Sequence, residues 1–177
     1  MEPSSSSRSE LAHRRARYRE FAVRTAREAG DLLVRLRRRA HHRTWKTATD
    51  FKTNADDASD RLIRQRITET FPDHHIMSEE QAVVPSRARF AWVVDPLDGT
   101  YNFASLWSDD FTVSIGLLSD SEPVVGVVYA PARRQLYVAE LGGRAQLDGK
   151  PIRVSDVVNL SRAVVALDYG KGGRRVR

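Results

Sequence analysis

The sequence predicts an α+β fold in which two long N-terminal helices pack against a mainly antiparallel sheet. Apolar residues recur at helical spacing in two early stretches, over about residues 10–39 and 56–70. From residue 75 onward the pattern changes to short apolar runs separated by turn residues. Helices followed by a run of strands are typical of a fold with the helices on one face of the sheet.

Chain length and composition predict one globular domain. At 177 residues the chain can bury a core but is too short for two ordinary domains. Its residues are 41% hydrophobic and 29% charged, and no apolar run approaches the roughly eighteen residues of a membrane span. The sequence has no cysteine, which excludes disulfides, thiolate metal sites and cysteine nucleophiles. We therefore expect a cytoplasmic protein that does not engage a membrane.

The net charge of +6 is concentrated at the N-terminal end. Residues 1–50 hold 13 Lys or Arg and 6 Asp or Glu, whereas residues 51–177 hold 16 and 17. Nucleic acid or an acidic partner is one interpretation, and a solvated helix face is the other. Aromatic residues do not alternate with these arginines as a single-strand-binding surface requires, so nucleic acid is not expected as a partner.

The first predicted helix runs from about Glu10 to Arg39, with a charged outer face. Gly30 costs a helix about 1 kcal/mol relative to alanine, so its presence predicts close packing at that point. Residues 1–10 are Ser-rich and polar, and we expect them to form a disordered tail.

The second predicted helix starts at a cap on Asp56 or Asp57 and runs to about Thr70. The sequence before it, over residues 41–54, is polar and irregular. The adjacent His74 and His75 should point to opposite sides of a strand, so we expect surface histidines rather than a metal site.

Eight strands are predicted after the helices. Asp148-Gly149 predicts a tight hairpin turn between two of them. Residues 169–177 have no structural pattern and are expected to form a flexible basic end, which makes the domain look truncated. The predicted strands cover residues 75–77, 90–94, 111–118, 124–130, 135–139, 144–147, 151–154 and 163–167.

Residues 95–100, Asp-Pro-Leu-Asp-Gly-Thr, carry the strongest chemical signal. The strand before them delivers Asp95 to an exposed tip, and Pro96 is expected to stop that strand. The backbone N–H groups of Gly99 and Thr100 could meet an anion, and a pair of carboxylates beside them suits a hard cation such as Mg²⁺. The segment alone therefore indicates metal-assisted phosphate chemistry or, alternatively, a simple acidic turn.

Four segments in order resemble the inositol monophosphatase family: residues 52–56, 77–80, 92–103 and 113–116. The third fits the family signature W-x-x-D-P-x-D-G-T-x-N-F at every fixed position, and the likeness extends from about Tyr18 to Asp168. The resemblance implies a sugar phosphatase-like fold whose N-terminal domain covers residues 11–168. It also implies Mg²⁺-dependent hydrolysis of a phosphate monoester of a small polyol or sugar, with two or three ions per site.

The resemblance also assigns roles to metal ligands. Glu79 and Asp95, with the backbone carbonyl of Leu97, would hold the first ion. Asp95 would bridge to a second ion that Asp98 also binds. The alternative for Glu79 is an exposed residue at a strand end.

The remaining roles implied by the resemblance concern the phosphate and the water. The turn formed by Leu97, Asp98, Gly99 and Thr100 would receive the phosphate. The Thr100 hydroxyl, paired with Asp56, would position and deprotonate a metal-bound water, with Glu79 as the third catalytic residue. Asp56 could instead serve only as a helix cap, and the role of Lys46 is open between assisting near the metals and being solvated.

Four departures from the family pattern qualify this interpretation. Ser78 stands where glycine is usual and Asp60 where glutamate is usual, and residues 106–108 lack the glycine often found after the Asn-Phe segment. The C-terminal half of the family, which completes the second metal site and closes the substrate pocket, is absent from these 177 residues. A truncated, catalytically impaired member that retains metal or phosphate binding, or a basic interaction surface, is therefore the alternative. Homodimer formation is also open.

Overall fold

The computed structural model describes residues 5–39, 42–48, 50–82, 84–106 and 108–166, with side chains from residue 13 onward. The helices are α1 (Ser5–Arg37), α2 (Asn54–Thr70) and the short α3 (Thr100–Ser105), and a 3₁₀ turn spans Leu160–Arg162. The strands are β1 (Arg43–Trp45), β2 (Phe51–Thr53), β3 (His75–Ser78), β4 (Phe90–Asp98), β5 (Thr112–Ser119), β6 (Glu122–Ala130), β7 (Gln135–Glu140), β8 (Gln146–Leu147) and β9 (Lys150–Pro151).

Strands β3 to β9 form one sheet in sequence order. Strands β3 and β4 are parallel, and every later pair is antiparallel. Helices α1 and α2 cover one face of this sheet. The predicted α+β class, with two long N-terminal helices on a mainly antiparallel sheet, is confirmed.

The core lies between the two helices and the sheet. Trp92 of β4 is fully buried there, and its ring contacts those of Tyr18 and Phe21 from α1. A Cβ on Gly30 would lie 2.6 Å from the Tyr129 ring, which confirms the close packing predicted at that glycine. The apolar helical stripe therefore seats α1 directly on the sheet.

The start of the chain differs from its prediction. Residues 5–10, predicted as part of a disordered tail, are helical, because extending an existing helix by one residue costs far less than nucleating it. Residues 1–4 and the predicted flexible end at 169–177 lie outside the described residues, so those expectations stay predictions.

Three other local predictions were wrong. The segment 41–54 is not irregular throughout, because β1 and β2 pair as an antiparallel hairpin within it. Strand β4 does not stop at Pro96 but continues to Asp98, with a register irregularity between Asp95 and Asp98 where the missing proline N–H is tolerated. Residues 163–166 form no strand, since the last sheet strand within the described residues is β9 and offers them no pairing.

No helix in the described part of the chain is both long and apolar enough to cross a membrane.

Candidate active site

The parallel pairing of β3 and β4 places two carboxylates side by side. Ser78, the last residue of β3, is in register with Val94, and the N–H of Glu79 donates to the Val94 carbonyl at 3.1 Å. Because side chains alternate along a strand, Trp92 and Val94 point toward the helices and Asp95 points to the other face. Glu79 and Asp95 therefore lie side by side where β3 ends next to β4.

Like charges converge on Asp95. Burial is the main cause that raises the pKa of Asp95 to about 7, and the neighbouring Glu79 and Asp98 carboxylates raise it further. The N–H of Leu97, which donates to Asp95 Oδ1 at 3.2 Å, acts in the opposite direction. A half-buried carboxyl that resists ionisation beside two other acids is a site whose charge a cation would stabilise.

These oxygen donors suit a hard divalent cation, although the side chains are not arranged as a finished cage. Among the described residues, no group of three or more acidic or histidine side chains is placed so that it could hold a metal ion. The Nζ of Lys46 instead lies 3.5 Å from Glu79 Oε1. The set therefore fits Mg²⁺ in the chemistry of its donors, and Lys46 partly neutralises Glu79 in this arrangement.

Sequence reasoning missed a buried ion-pair network next to this site. The side chain of Glu80 is only 3% exposed and lies between two lysines, with its carboxylate 2.7 Å from Lys46 Nζ and 3.5 Å from Lys52 Nζ. Glu80 Oε2 has no hydrogen-bond partner within the described residues. Lys52 is the first residue of a segment that resembles the family, and this is the signal that could have linked it to the acidic pair.

Asp56 occupies a different helix position from the one predicted. Thr53 is the N-cap of α2, and Asp56, three residues on, closes a capping box. Asp56 Oδ2 accepts from the Thr53 N–H at 2.7 Å and from the Thr53 hydroxyl at 2.6 Å. The prediction of Asp56 or Asp57 as the cap was wrong because the extended residue before the helix is Thr53.

The second oxygen of Asp56 faces Thr100. The Thr100 hydroxyl lies 3.1 Å from both Asp56 Oδ1 and the Leu97 carbonyl. Burial raises the pKa of Asp56, while the hydrogen bonds from Thr53 and Thr100 lower it in part. The pair that the resemblance singled out is therefore in contact, in a buried environment where a proton shared between the two is shielded from water.

The turn at residues 97–100 is held in place from two sides. Gly99 has φ +80°, and a Cβ there would lie 2.5 Å from the Asp110 carbonyl, so only glycine is accommodated. The Ser59 hydroxyl donates to the Pro96 carbonyl at 2.8 Å. Leu97 is buried while Asp98 is exposed, so this turn presents the Asp98 carboxylate to solvent and fixes the backbone before Thr100.

Two departures from the family pattern contact each other. The Ser78 hydroxyl donates to Asp60 Oδ1 at 2.5 Å, and both side chains are buried. Gln81 Nε2 lies 3.3 Å from the other Asp60 oxygen. Ser78 and Asp60 therefore satisfy each other's hydrogen-bonding groups beneath the strand end that carries Glu79.

The prediction of surface histidines was wrong for His74. Its ring stacks between Phe71 and Phe90, with centroids 4.8 Å from each, and its Nδ1 accepts from the Trp92 indole N–H at 3.1 Å. Nδ1 of His74 is therefore occupied by the Trp92 N–H.

A cavity of about 720 Å³ opens beside the acidic pair on the sheet face that the helices do not cover. Glu79 and Asp95 lie at its edge, and partly exposed apolar side chains from Val93, Tyr137 and Ile152 line its floor. The carboxylates are thus accessible from this side, where a substrate or further polypeptide could approach.

Comparison with known proteins agrees with this geometry. Residues 14–173 match the sequence profile described as the inositol monophosphatase family. A protein of Aquifex aeolicus named fructose-1,6-bisphosphatase/inositol-1-monophosphatase is 37% identical over 130 residues, which cover 73% of this chain and 49% of the relative. The Nus factor SuhB of Pasteurella multocida is 35% identical over 152 residues, covering 84% and 57% respectively.

A solved structure shares the fold. The inositol monophosphatase-II of Staphylococcus aureus with inositol monophosphate bound superposes with a TM-score of 0.67 at 33% identity, covering 82% of this chain and 52% of that one. The chain therefore spans about half the length of the relatives it matches.

Proposed function

Because the chain belongs to the inositol monophosphatase family, we propose that it provides the metal- and phosphate-binding part of a Mg²⁺-dependent phosphatase. The substrate class is a phosphate monoester of a small polyol or sugar. The observation that carries this proposal is that β3 and β4 bring Glu79 next to the half-buried Asp95, at the edge of the open cavity and just before the 97–100 turn.

Each element of the site has a part in the proposed hydrolysis. Glu79, Asp95, Asp98 and the Leu97 carbonyl would hold two or three Mg²⁺ ions. Bound Mg²⁺ supplies charge stabilisation on the phosphoryl oxygens and makes water acidic enough to act as nucleophile near neutral pH. The backbone N–H groups of Gly99 and Thr100 would orient the phosphate in the 97–100 turn.

The Asp56–Thr100 pair would manage the proton of the attacking water. Thr100 Oγ1 accepts a proton from the water as its own proton passes to Asp56 Oδ1, across the 3.1 Å contact. Burial favours the protonated form of Asp56, which suits a group that receives a proton during the step. The two Thr53 hydrogen bonds hold the carboxylate in the required orientation.

Names of relatives support the substrate class without fixing it. One combines fructose-1,6-bisphosphatase and inositol-1-monophosphatase activities in its name, and the solved Staphylococcus aureus structure holds inositol monophosphate. Other relatives are named Nus factors, so the expectation that nucleic acid is not a partner stays a prediction. A cytoplasmic location and homodimer formation likewise belong to the proposal.

The test is Mg²⁺-dependent release of phosphate from inositol 1-phosphate by the purified chain. Asp95→Asn should abolish the activity, while Asp120→Asn, which changes an exposed acid paired with Arg89, should leave it unchanged. Calorimetry with Mg²⁺ alone should give a binding signal that only Asp95→Asn removes. Absence of any Mg²⁺ response in the folded wild-type chain would refute the assignment.

A second candidate is a metal- or phosphate-binding relative without turnover. The apolar floor of the 720 Å³ cavity is open in this chain, so the substrate would lack a wall on that side. Mg²⁺ binding that depends on Asp95, without phosphate release, would favour this candidate.

A further inference from the structure

A second pocket lies away from the acidic site. It has a volume of about 520 Å³ and is lined by α1, the connection between α2 and β3, and the start of β4. Phe90, in its wall, begins β4, whereas Asp95 lies five residues further along the strand. At about 3.3 Å per residue the two positions are about 16 Å apart, so the pocket is separate from the candidate active site.

Two arginines in the wall of this pocket have no acidic partner. The guanidinium of Arg14 lies 5.6 Å from the Phe90 ring centroid, and that of Arg17 lies 5.2 Å from the Phe71 ring centroid. In the described part of the chain, neither forms an ion pair or donates a hydrogen bond to a carboxylate or carbonyl. Arg89, also in the wall, differs because Asp120 lies 3.1 Å from its Nε.

The floor of the pocket is an aromatic stack. His74 lies between Phe71 and Phe90, with interplanar angles of 12° and 24°. The Trp92 indole N–H donates to His74 Nδ1, so the proton of the neutral ring is on Nε2. The stack holds the rings over which the two guanidinium groups lie.

The C-terminal end of α2 offers another reason why these two arginines lie here. Its partial negative charge favours nearby cations. Neither Arg14 nor Arg17 donates to a carbonyl of that helix end within the described residues, however, so their planar N–H groups remain available. A guanidinium that lies over an aromatic ring still presents these donors at its edge, in the fork geometry that matches phosphate oxygens.

We propose that the pocket formed by Arg14, Arg17 and the His74 stack binds the phosphate group of a small organic phosphate. The 520 Å³ volume falls in the range of small-molecule sites. Asp73 is an acidic wall residue and Arg89 is paired with Asp120, so the charges of Arg14 and Arg17 still exceed that of Asp73 and the pocket favours an anion. Such a ligand would bind here without Mg²⁺, unlike a ligand of the acidic site.

The experiment is an NMR titration of the ¹⁵N-labelled chain with inorganic pyrophosphate in the presence of EDTA. The Trp92 indole N–H is the local reporter, because it is bonded to His74, and the indole of Trp45 is the internal control. We expect the Trp92 resonance to shift with saturation and that of Trp45 to stay in place.

Matched variants locate the binding. R14Q/R17Q should weaken pyrophosphate binding by about tenfold or more, in line with the loss of charge-assisted hydrogen bonds. R27Q/R35Q removes the same charge from exposed positions on α1 and should bind as the wild type does. R14K/R17K keeps the positive charge and the helix but lacks the paired N–H donors of a guanidinium. Its affinity for pyrophosphate should lie between those of R14Q/R17Q and the wild type.

The proposal is overturned if the Trp92 resonance of the wild type does not move, or if R14Q/R17Q and R27Q/R35Q lose affinity equally. The second result would show a general charge effect. Neither result bears on the Mg²⁺-dependent site, because EDTA excludes the ion throughout.

Discussion

Asp56 Oδ1 lies 3.1 Å from the Thr100 hydroxyl, while Oδ2 of the same carboxylate closes the capping box of α2. One side chain thus joins the start of a long helix to the turn that carries the candidate phosphate site. The helix cap fixes the carboxylate, and the carboxylate in turn fixes Thr100. Stability and chemistry are therefore coupled at this residue.

Replacing Asp56 by asparagine should affect both properties. The amide cannot accept on both sides, so we expect a loss of about 1–2 kcal/mol in the free energy of unfolding and a fall of about 100-fold in Mg²⁺-dependent hydrolysis. Thr53→Ala weakens the same cap without contacting Thr100. Urea unfolding measures the stability of Asp56→Asn and Thr53→Ala, and phosphate release measures their activity. If both variants lose activity in proportion to their loss of stability, the proton role of Asp56 is wrong.

The stability of the Mg²⁺-free protein should fall as pH rises through the titration range of Asp95. Its pKa rises from 3.8 to about 7 on folding, so the folded state binds the extra proton between these values. Stability is therefore full below about pH 4 and declines until about pH 7. Because the group is partly solvated, we expect a loss of about 1–2 kcal/mol rather than the full value of the shift.

Asp95→Asn should remove this loss of stability with rising pH. Urea unfolding in EDTA at pH 5 and pH 8 should show the variant more stable than the wild type at the higher pH, with the difference shrinking at the lower. Equal differences at both pH values would contradict the assigned electrostatics of Glu79, Asp95 and Asp98.

Ser78 and Asp60 should behave as a coupled pair. Ser78→Gly leaves a buried Asp60 oxygen without its 2.5 Å donor, and Asp60→Glu adds a methylene against the serine. Each single change should cost about 1–3 kcal/mol, whereas the double change restores the pair usual in the family and should cost less than the sum. A double-mutant cycle by urea unfolding measures this, and strict additivity would show that the two positions are independent.

His74 should remain neutral below its ordinary pKa. Burial is the main cause that lowers the pKa of His74 below 6.5; Asp73 acts in the opposite direction, and Arg14 and Arg17 lower the pKa further. The unfolded chain therefore takes up a proton first, so stability falls as pH drops below 6.5. The titration of the His74 ring by NMR should have its midpoint below 6.5.

Trp92→Phe tests the contribution of the Trp92 hydrogen bond to the pKa of His74. It removes the N–H that donates to Nδ1 of the neutral ring, so the pKa of His74 should rise toward 6.5. A midpoint at or above 6.5 in the wild-type protein would show that the aromatic stack does not bury the ring as described.

Gly30→Ala should destabilise the protein although it improves helix propensity. Propensity alone would stabilise α1 by about 1 kcal/mol. The added Cβ would lie 2.6 Å from the Tyr129 ring and 2.9 Å from the Pro131 Cβ, and such overpacking costs about 1–3 kcal/mol. Gly126→Ala, which has no atom within 4 Å of its new Cβ, is the control. If the urea midpoint instead rises for Gly30→Ala, α1 can move away from Tyr129 and Pro131 at little cost.

The sequence by itself determined the two helices, most of the strands and the identity of the acidic turn. Helical periodicity, β-branched runs and turn residues act over a few neighbouring residues, so they can be seen in the chain. The signature over residues 92–103 likewise predicted that Asp95, Asp98 and Thr100 belong together, and the structure brings Thr100 to Asp56 as the resemblance implied.

Only the tertiary structure decided how distant segments meet. The parallel pairing of β3 with β4, the lysines on Glu80 and the Ser78–Asp60 contact all join residues far apart in sequence or depend on the direction of a neighbouring strand. Local patterns carry no information on that direction. His74 shows the same limit, because its burial depends on aromatic rings delivered by α1 and β4 in addition to the nearby Phe71.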